Sequence, residues 1–424
     1  MQSFTFGAPG RQYTLESGAN WVQGTESDSG TENPVWGLAK AHGLKTQEND
    51  WEGSITTYDA TGQVDYLDTF QESLYQFESL GAVVRQTSRR LVNVSARTGY
   101  SLIGAKPRTA HAMACEYFQI DWDTGDSPEK SSLVATASVS NFTYNPAVGG
   151  FGNTNAMSID RRGIKTLVKA EQARLPQNQI LLNATVKEIA YSTTGVDVTL
   201  EDGRVLKADY VLTTFSLGVL QADDVTFAPP LPHWKQEAIH KKTMVMLRPT
   251  TRVIPPVTAP QMGLYADSER GRYPVWQSLD DPNFFPGSGI LFVTVTGDFS
   301  LRIEGLNDSQ VQNEVMGVLR SMFPGVTVPD PIAFHFPRWH SDPLFRGSFS
   351  NWPPFYRAEH QLNLNATVDD RLWFAGEATS TKYFGFLHGA YFSGLEVATA
   401  MIKCIRGRGC VVPAHVADAV DPPL

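Results

Sequence analysis

A strand handed directly to a small-residue helix, with a carboxylate in the link, constrains this chain more than any other stretch. Arg371-Leu-Trp-Phe-Ala375 reads as a short buried strand after the Asp369-Asp370 turn, and residues 389–401 read as a helix. Residues 389, 393, 397 and 400 of that helix fall on one face as a small-residue stripe, so the helix must pack closely on its neighbour. Gly376, Glu377 and a run of hydroxyls and glycines fill the link. Free backbone N–H groups at the helix start, near His388, Gly389 and Ala390, can hold an anion or stabilise negative charge on a ring.

Such a unit needs a large core around it. The 424 residues, 42% hydrophobic and 11% aromatic, are enough for about two to three domains. No apolar run is long enough to cross a bilayer, and residues 1–30 lack the charged start and apolar core of a signal peptide. A net charge of −9 argues against nucleic acid or an anionic membrane as partners and is compatible with a cationic substrate. Cys115, Cys404 and Cys410 show no metal-ligand spacing, so no metal site is expected. Cys404 and Cys410 could bridge across the intervening loop or be unrelated thiols. That bridge, with sequons at Asn93, Asn141, Asn183, Asn307 and Asn365, leans toward a secretory origin, although the chain carries no address of its own.

Along the chain, helices are expected over residues 35–42, 65–81 and 107–118, after the Asp160-Arg161-Arg162-Gly163 turn, and over 309–322. Strands are expected over 179–182, 185–192, 196–200, 205–208, 210–214, 290–296 and 332–336, with a turn at Glu201-Asp202-Gly203. Residues 240–256 hold Pro249, Pro255 and Pro256 without alternation, which argues against a central strand there. Residues 411–424 read as a frayed tail.

Several of these stretches together resemble the FAD-dependent amine oxidases, and among them the polyamine oxidases of plants and fungi. The C-terminal strand, Gly376-Glu377 and helix resemble that family's flavin motif. Glu16-Ser-Gly-Ala-Asn-Trp21-Val-Gln23-Gly24, Asp121-Trp-Asp123-Thr124, Asn183-Ala-Thr-Val186, residues 208–220, Pro337-Arg-Trp339 and residues 347–353 match further segments in order. The resemblance implies an α/β flavin-binding domain of Rossmann type, formed by residues 1–44, 134–218 and 345–410. It also implies an α+β substrate domain with a mixed sheet flanked by helices, formed by residues 45–133 and 219–344. The strand-GxGxxG-helix unit expected to open such a fold is not found in the sequence.

The resemblance implies non-covalent FAD, since residues 351–362 have no cysteine where monoamine oxidases attach theirs. Val186, Trp339, Gly376, Glu377, His388, Gly389 and Ala390 would meet the cofactor. Trp339 and Phe386 would wall the slot beside the ring. Trp21, Gln23, Asp123, Thr124 and Phe386 would line a tunnel for a polyamine, with O2 as the second substrate. Gln23 stands where plant relatives carry Glu, and Thr124 where they carry an aromatic ring. The lysine that holds a water against the flavin falls on or beside Arg248-Pro249, with Lys241 and Lys242 too far upstream to replace it without rearrangement. Two alternatives stay open at this level. One is an amino-acid oxidase using Arg338, Arg346 or Arg357 as a carboxylate clamp; the other is a non-catalytic relative that binds FAD poorly.

Overall fold

The computed structural model describes residues 3–6, 12–50, 52–87, 93–139, 142–143, 149–152, 154–245, 247–250, 261–407 and 412–416. Its largest layer is a six-stranded mixed sheet. From one edge to the other its strands are Leu247–Thr250, Leu291–Thr296, Val275–Ser278, Met262–Tyr265, Ile55–Asp59 and Gly62–Gln63; all neighbours are antiparallel except the parallel pair 262–265 and 55–58. Side chains alternate across the sheet, so each face buries its own core. On one face Tyr58, Trp276, Val293 and Val295 pack on Val311, Val315, Leu319 and Met322 of helix Asp308–Met322. On the other, Ile55, Met262, Leu264 and Val275 pack on Phe70 of helix Leu67–Thr87 and on Cys115 and Phe118 of helix Ala110–Gln119. This is the sheet flanked by helices that the sequence implied.

A second body contains the flavin-motif unit. Strand Leu372–Phe374 pairs in parallel with Val211–Thr213, and the link from Gly376 leads into helix Leu387–Ile405. Glycine is required twice here. Gly376 sits at φ +130°, and a side chain at Gly389 would meet the Tyr383 carbonyl oxygen at 1.8 Å. The small-residue stripe packs as expected: Ser393 is buried, and Val397 and Ala400 lie on the fully buried Trp373. A four-stranded sheet, in the order 205–208, 195–200, 186–192 and 226–228, lies beside this unit.

Three expectations fail. Residues 179–182 and 332–336 form no strand. Both contain strongly exposed residues, Leu182 at 73% and Ile332 at 66%, and the second run makes no more than an isolated bridge at Ala333, so neither extends into a ladder among the described residues. The tail is not frayed over residues 412–416. Thr367 N donates to Pro413 O at 2.8 Å, Val416 N donates to Asn363 Oδ1 at 2.7 Å, and His415 stacks on Trp234 at 4.7 Å. Residues 247–250 do form a strand, but at the sheet's edge, where a proline is tolerated. Cys404 is disulfide-bonded and Cys115 is a buried free thiol; Cys410 lies outside the described residues.

Candidate active site

A cavity of about 360 Å³ opens where the two bodies meet, in the size range of small-molecule sites. Its walls come from distant parts of the chain. The loop from Glu16 to Asn20 leads into Trp21 and Gln23 on strand Trp21–Gln23, which is held by strand Asn155–Ser158. Phe292 and Thr294 project from strand Leu291–Thr296, whose alternate residues Val293 and Val295 belong to the sheet core. Trp122 and Asp123 come from the one-turn helix Asp121–Thr124. Trp339, Phe345 and residues 347–349 close one side, and Glu377, Gly385, Phe386, Leu387 and Ala390 close the other.

Of the residues singled out from sequence, Trp21, Gln23, Asp123, Trp339, Glu377, Phe386 and Ala390 thus share one cavity. Five do not line it. Thr124 is buried with its hydroxyl on Ile120 O at 2.9 Å and Ser131 Oγ at 3.1 Å, so it ties down its own helix. Val186 opens a strand of the four-stranded sheet. Gly376 and Gly389 make the tight turn and the close helix approach described above. His388 is buried behind the wall: its Nε2 meets Phe142 O at 2.9 Å, and its ring stacks on Phe386 at 5.1 Å. Burial pushes its pKa down to about 4, so near neutral pH it is an uncharged support for Phe386.

The cavity carries acids and, among the described residues, no Lys, Arg or His in its lining. Glu377 Oε1 accepts from Ser350 N at 3.1 Å, and Oε2 accepts from Ser350 Oγ at 2.8 Å and Gly385 N at 2.6 Å. Glu16 accepts from Lys165 N at 3.0 Å through Oε1, while its buried Oε2 has no partner. Burial raises its pKa, against the opposing pull of that hydrogen bond and of Lys165. The Asp123 carboxylate has no hydrogen-bond partner among the described residues, and burial pushes its pKa up to about 7. Its helix is fixed by an ionic network next door: Arg270 reaches Asp121 at 2.5 Å and Glu116 at 2.8 Å, and Arg97 reaches Glu116 at 2.6 Å.

The arginines proposed as carboxylate clamps are engaged elsewhere. Arg338 bonds Asp308 and Leu306 O, Arg346 bonds Asp224, and Arg357 bonds Glu359. Pro249 stands opposite Thr294 in the sheet register. Arg248-Pro249, on or beside which the lysine is expected, is therefore next to a wall residue. Lys242 lies buried outside the lining, its Nζ on Gln361 Oε1 at 2.8 Å and Ala378 O at 2.7 Å.

Sequence reasoning missed Glu16, Trp122, Phe292, Thr294, Phe345 and the 347–349 segment as wall residues. Trp122, beside Asp123, and the two-residue period of strand 291–296 were the available signals.

The residues fit the ring end of a flavin. Aromatic side chains (Trp21, Trp122, Phe292, Trp339, Phe345, Phe349 and Phe386) line it, an orphaned carboxylate oxygen stands in one wall, and no cysteine is among the described lining residues. A cavity of this volume does not hold a whole dinucleotide. The only parallel pairing in this body among the described residues, besides that of residues 226–228 with 188–190, is the two-stranded 211–213/372–374 unit.

Comparison with known proteins agrees with this geometry. Residues 1–402 match the family model for flavin containing amine oxidoreductase. The chain is 33% identical to polyamine oxidase 1 of Zea mays over 422 residues, covering 93% of this chain and 82% of that protein. It is 35% identical to polyamine oxidase 7 of Oryza sativa subsp. japonica, covering 90% and 83%. A partial match, 35% identical over 54% of this chain and 31% of the relative, is to lysine-specific histone demethylase 1 homolog 2 of Oryza sativa subsp. japonica. In fold it is similar to a wild-type putrescine oxidase bound to putrescine, with TM-score 0.70 at 16% identity over 94% of this chain and 90% of that one. It is similarly related to a cyclohexylamine oxidase from Brevibacterium oxydans, with TM-score 0.70 at 16% identity over 93% and 88%. The family match over residues 1–402, together with relatives 33–35% identical over most of the chain, places the protein in the FAD-dependent, flavin-containing amine oxidoreductase family.

Proposed function

We propose that the cavity oxidises a secondary amine of a spermine- or spermidine-type substrate, free or acetylated. The observation that carries this reading is the charge of the wall: among the described residues, an unpartnered Asp123 and no basic side chain. A polyamine presents ammonium groups separated by methylenes, which suits one acid set among aromatic faces. An α-amino acid would bring a carboxylate into a cavity with no arginine to receive it.

Each wall has its own task in this reading. Asp123 takes a distal ammonium and fixes the register of the chain. Trp339 and Phe386 hold the reacting carbon in a dry slot, where an amine is more readily neutral because burial disfavours its charged form. A neutral nitrogen has the lone pair that supports loss of hydride from the neighbouring carbon, and the resulting imine hydrolyses to aldehyde and amine. Bound FAD supplies the hydride acceptor and is reoxidised by O2 with release of H2O2. Gln23 is neutral, so it offers the distal ammonium no second charge, which favours a broader substrate range.

The test is steady-state peroxide release from FAD-supplemented protein across spermine, spermidine, their acetylated forms, a simple monoamine and α-amino acids. A polyamine should lead. Preference for an amino acid or monoamine over every polyamine would refute the reading.

A further inference from the structure

The one-turn helix that carries Asp123 is too short to hold its own position, and it has no side-chain cap at its start. It is held from two directions. On the outer side the anchor is ionic, through Asp121 and Arg270. On the inner side a run of buried neutral groups joins it to strand Phe349–Asn351, whose Phe349 lines the cavity and whose Ser350 bonds Glu377. Asn351 Nδ2 donates to Ser131 Oγ at 3.1 Å, Ser131 Oγ lies 3.1 Å from Thr124 Oγ1, and Thr124 Oγ1 donates to Ile120 O at 2.9 Å. Thr124, Ser131 and Asn351 are each no more than 1% exposed.

The run has a direction. An amide N–H only donates and a carbonyl only accepts, so the two hydroxyls between them pass the polarity along. The other acceptor near Ser131 Oγ is Asp126 O at 3.5 Å, at the limit of a hydrogen bond, so its proton goes to Thr124 Oγ1. Thr124 then gives its own proton to Ile120 O, or to Asp126 O at 3.1 Å. Bonds in such a series strengthen one another, so losing one link weakens the rest. Packing follows the same line. Gly125 closes the helix so tightly that a side-chain carbon there would stand 2.5 Å from Val245 Cγ2 and 3.1 Å from the Phe349 ring. Beside it, Ser132 N donates to Trp352 O at 2.8 Å.

We propose that Asn351, Ser131 and Thr124 form a positioning strut that sets the distance from Asp123 to the slot between Trp339 and Phe386, and thereby selects which carbon beside a polyamine's secondary nitrogen is oxidised. The inference rests on reading Asp123 as the ammonium site. None of the three residues touches substrate; they act through Asp123. Spermidine makes the consequence visible because its two arms differ by one methylene. Hydride loss from the aminobutyl arm gives, after hydrolysis of the imine, aminobutanal and diaminopropane. Loss from the aminopropyl arm gives aminopropanal and putrescine. A fixed Asp123 favours one pair, and a loosened one mixes them.

Three variants separate hydrogen bonding from packing. Thr124→Val keeps the shape and loses the hydroxyl, Thr124→Ser keeps the hydroxyl and loses a methyl, and Ser131→Ala removes the middle link. Each changes one buried group, so if one of the two broken variants does not fold, the other carries the test. The ratio of the two product pairs from spermidine is measured by chromatography with FAD-supplemented protein. One pair should dominate in the wild type. Thr124→Val and Ser131→Ala should each move the ratio toward equality by about fivefold, the weight of a neutral buried hydrogen bond, and Thr124→Ser should keep the wild-type ratio. A second arm contains no amine: hydrogen exchange of the Asp123, Thr124 and Gly125 amides should speed up by about fivefold in the two broken variants and not in Thr124→Ser. An unselective wild type, a ratio or an exchange rate unmoved in the broken variants, or equal effects of Thr124→Val and Thr124→Ser overturns the strut. Failure of the polyamine reading shows elsewhere, in the substrate preference of the wild type alone.

Discussion

At the level of single residues, Asp123 carries both a binding and a stability prediction. Asp123→Asn removes the one wall acid without a partner among the described residues, and a charge-assisted contact is worth about 1.5–3 kcal/mol. KM for a polyamine should therefore rise by about tenfold or more, with a much smaller effect on an uncharged-tail monoamine, measured by peroxide release. The stability effect runs the other way. Burial holds the folded-state pKa at about 7, above the unfolded value of about 4. Between those values the native chain keeps a proton that the unfolded chain has released. Asp123 thus lowers stability progressively as pH rises from about 4 to about 7, and the loss persists above that window. The urea midpoint of the wild type relative to Asp123→Asn should decline across this range and then level off. A flat difference would mean that the carboxylate is solvated.

At the level of elements, the C-terminal helix and its strand answer to close packing. Gly389→Ala would drive its methyl into Tyr383 O, 1.8 Å from the new carbon. Overpacking typically costs about 1–3 kcal/mol; here the obstacle is backbone, so a loss at or above that range is expected in thermal unfolding. Deleting residues 412–424 should also lower the melting temperature, because it strips the Pro413 and Val416 hydrogen bonds from Thr367 and Asn363 and uncovers Trp234. An unchanged melting temperature would show that the strap adds nothing to the fold. These elements also show how far the sequence could be read. The small-residue stripe and the strand beside it were legible because both periodicities are local. Residues 179–182 and 332–336 do not become strands because an apolar run does so only if a partner pairs along it, and among the described residues there is no more than an isolated bridge at Ala333. The wall was half legible. Trp21, Asp123, Trp339, Glu377 and Phe386 stood in recognisable segments, whereas Phe292 and Phe345 reach the cavity only through tertiary packing, which no local pattern records. Thr124 and His388 lay in the right segments but face away from the cavity, a matter of side-chain direction that spacing did not settle.

For the molecule as a whole, both bodies contribute to one cavity. Asp123 and Phe292 come from one and Glu377 and Phe386 from the other, so in the proposed reading the distal ammonium and the cofactor are met from opposite sides. Weakening the ionic network that fixes the Asp123 helix should therefore act on substrate affinity before it acts on the cofactor side. Arg270→Gln breaks the contacts to Glu116 and Asp121. It should raise KM for a polyamine while leaving FAD affinity, measured by fluorescence quenching, within about twofold, because the sites lie on separate bodies. A matching loss of FAD affinity would show that the two sides are not independent.

The six-stranded sheet has a consequence for how the protein behaves in company. Among the described residues, its outermost strand at one end contains Pro249, which has no N–H to offer an incoming strand, and its outermost strand at the other end is the two-residue pair Gly62–Gln63, where Pro324 crowds Gly62. Open sheet edges are the usual template for adding a foreign strand. Here neither end presents a full row of donors and acceptors, so concentrated solutions should stay free of edge-to-edge fibrils even though the sheet's interior strands are among the most apolar in the chain.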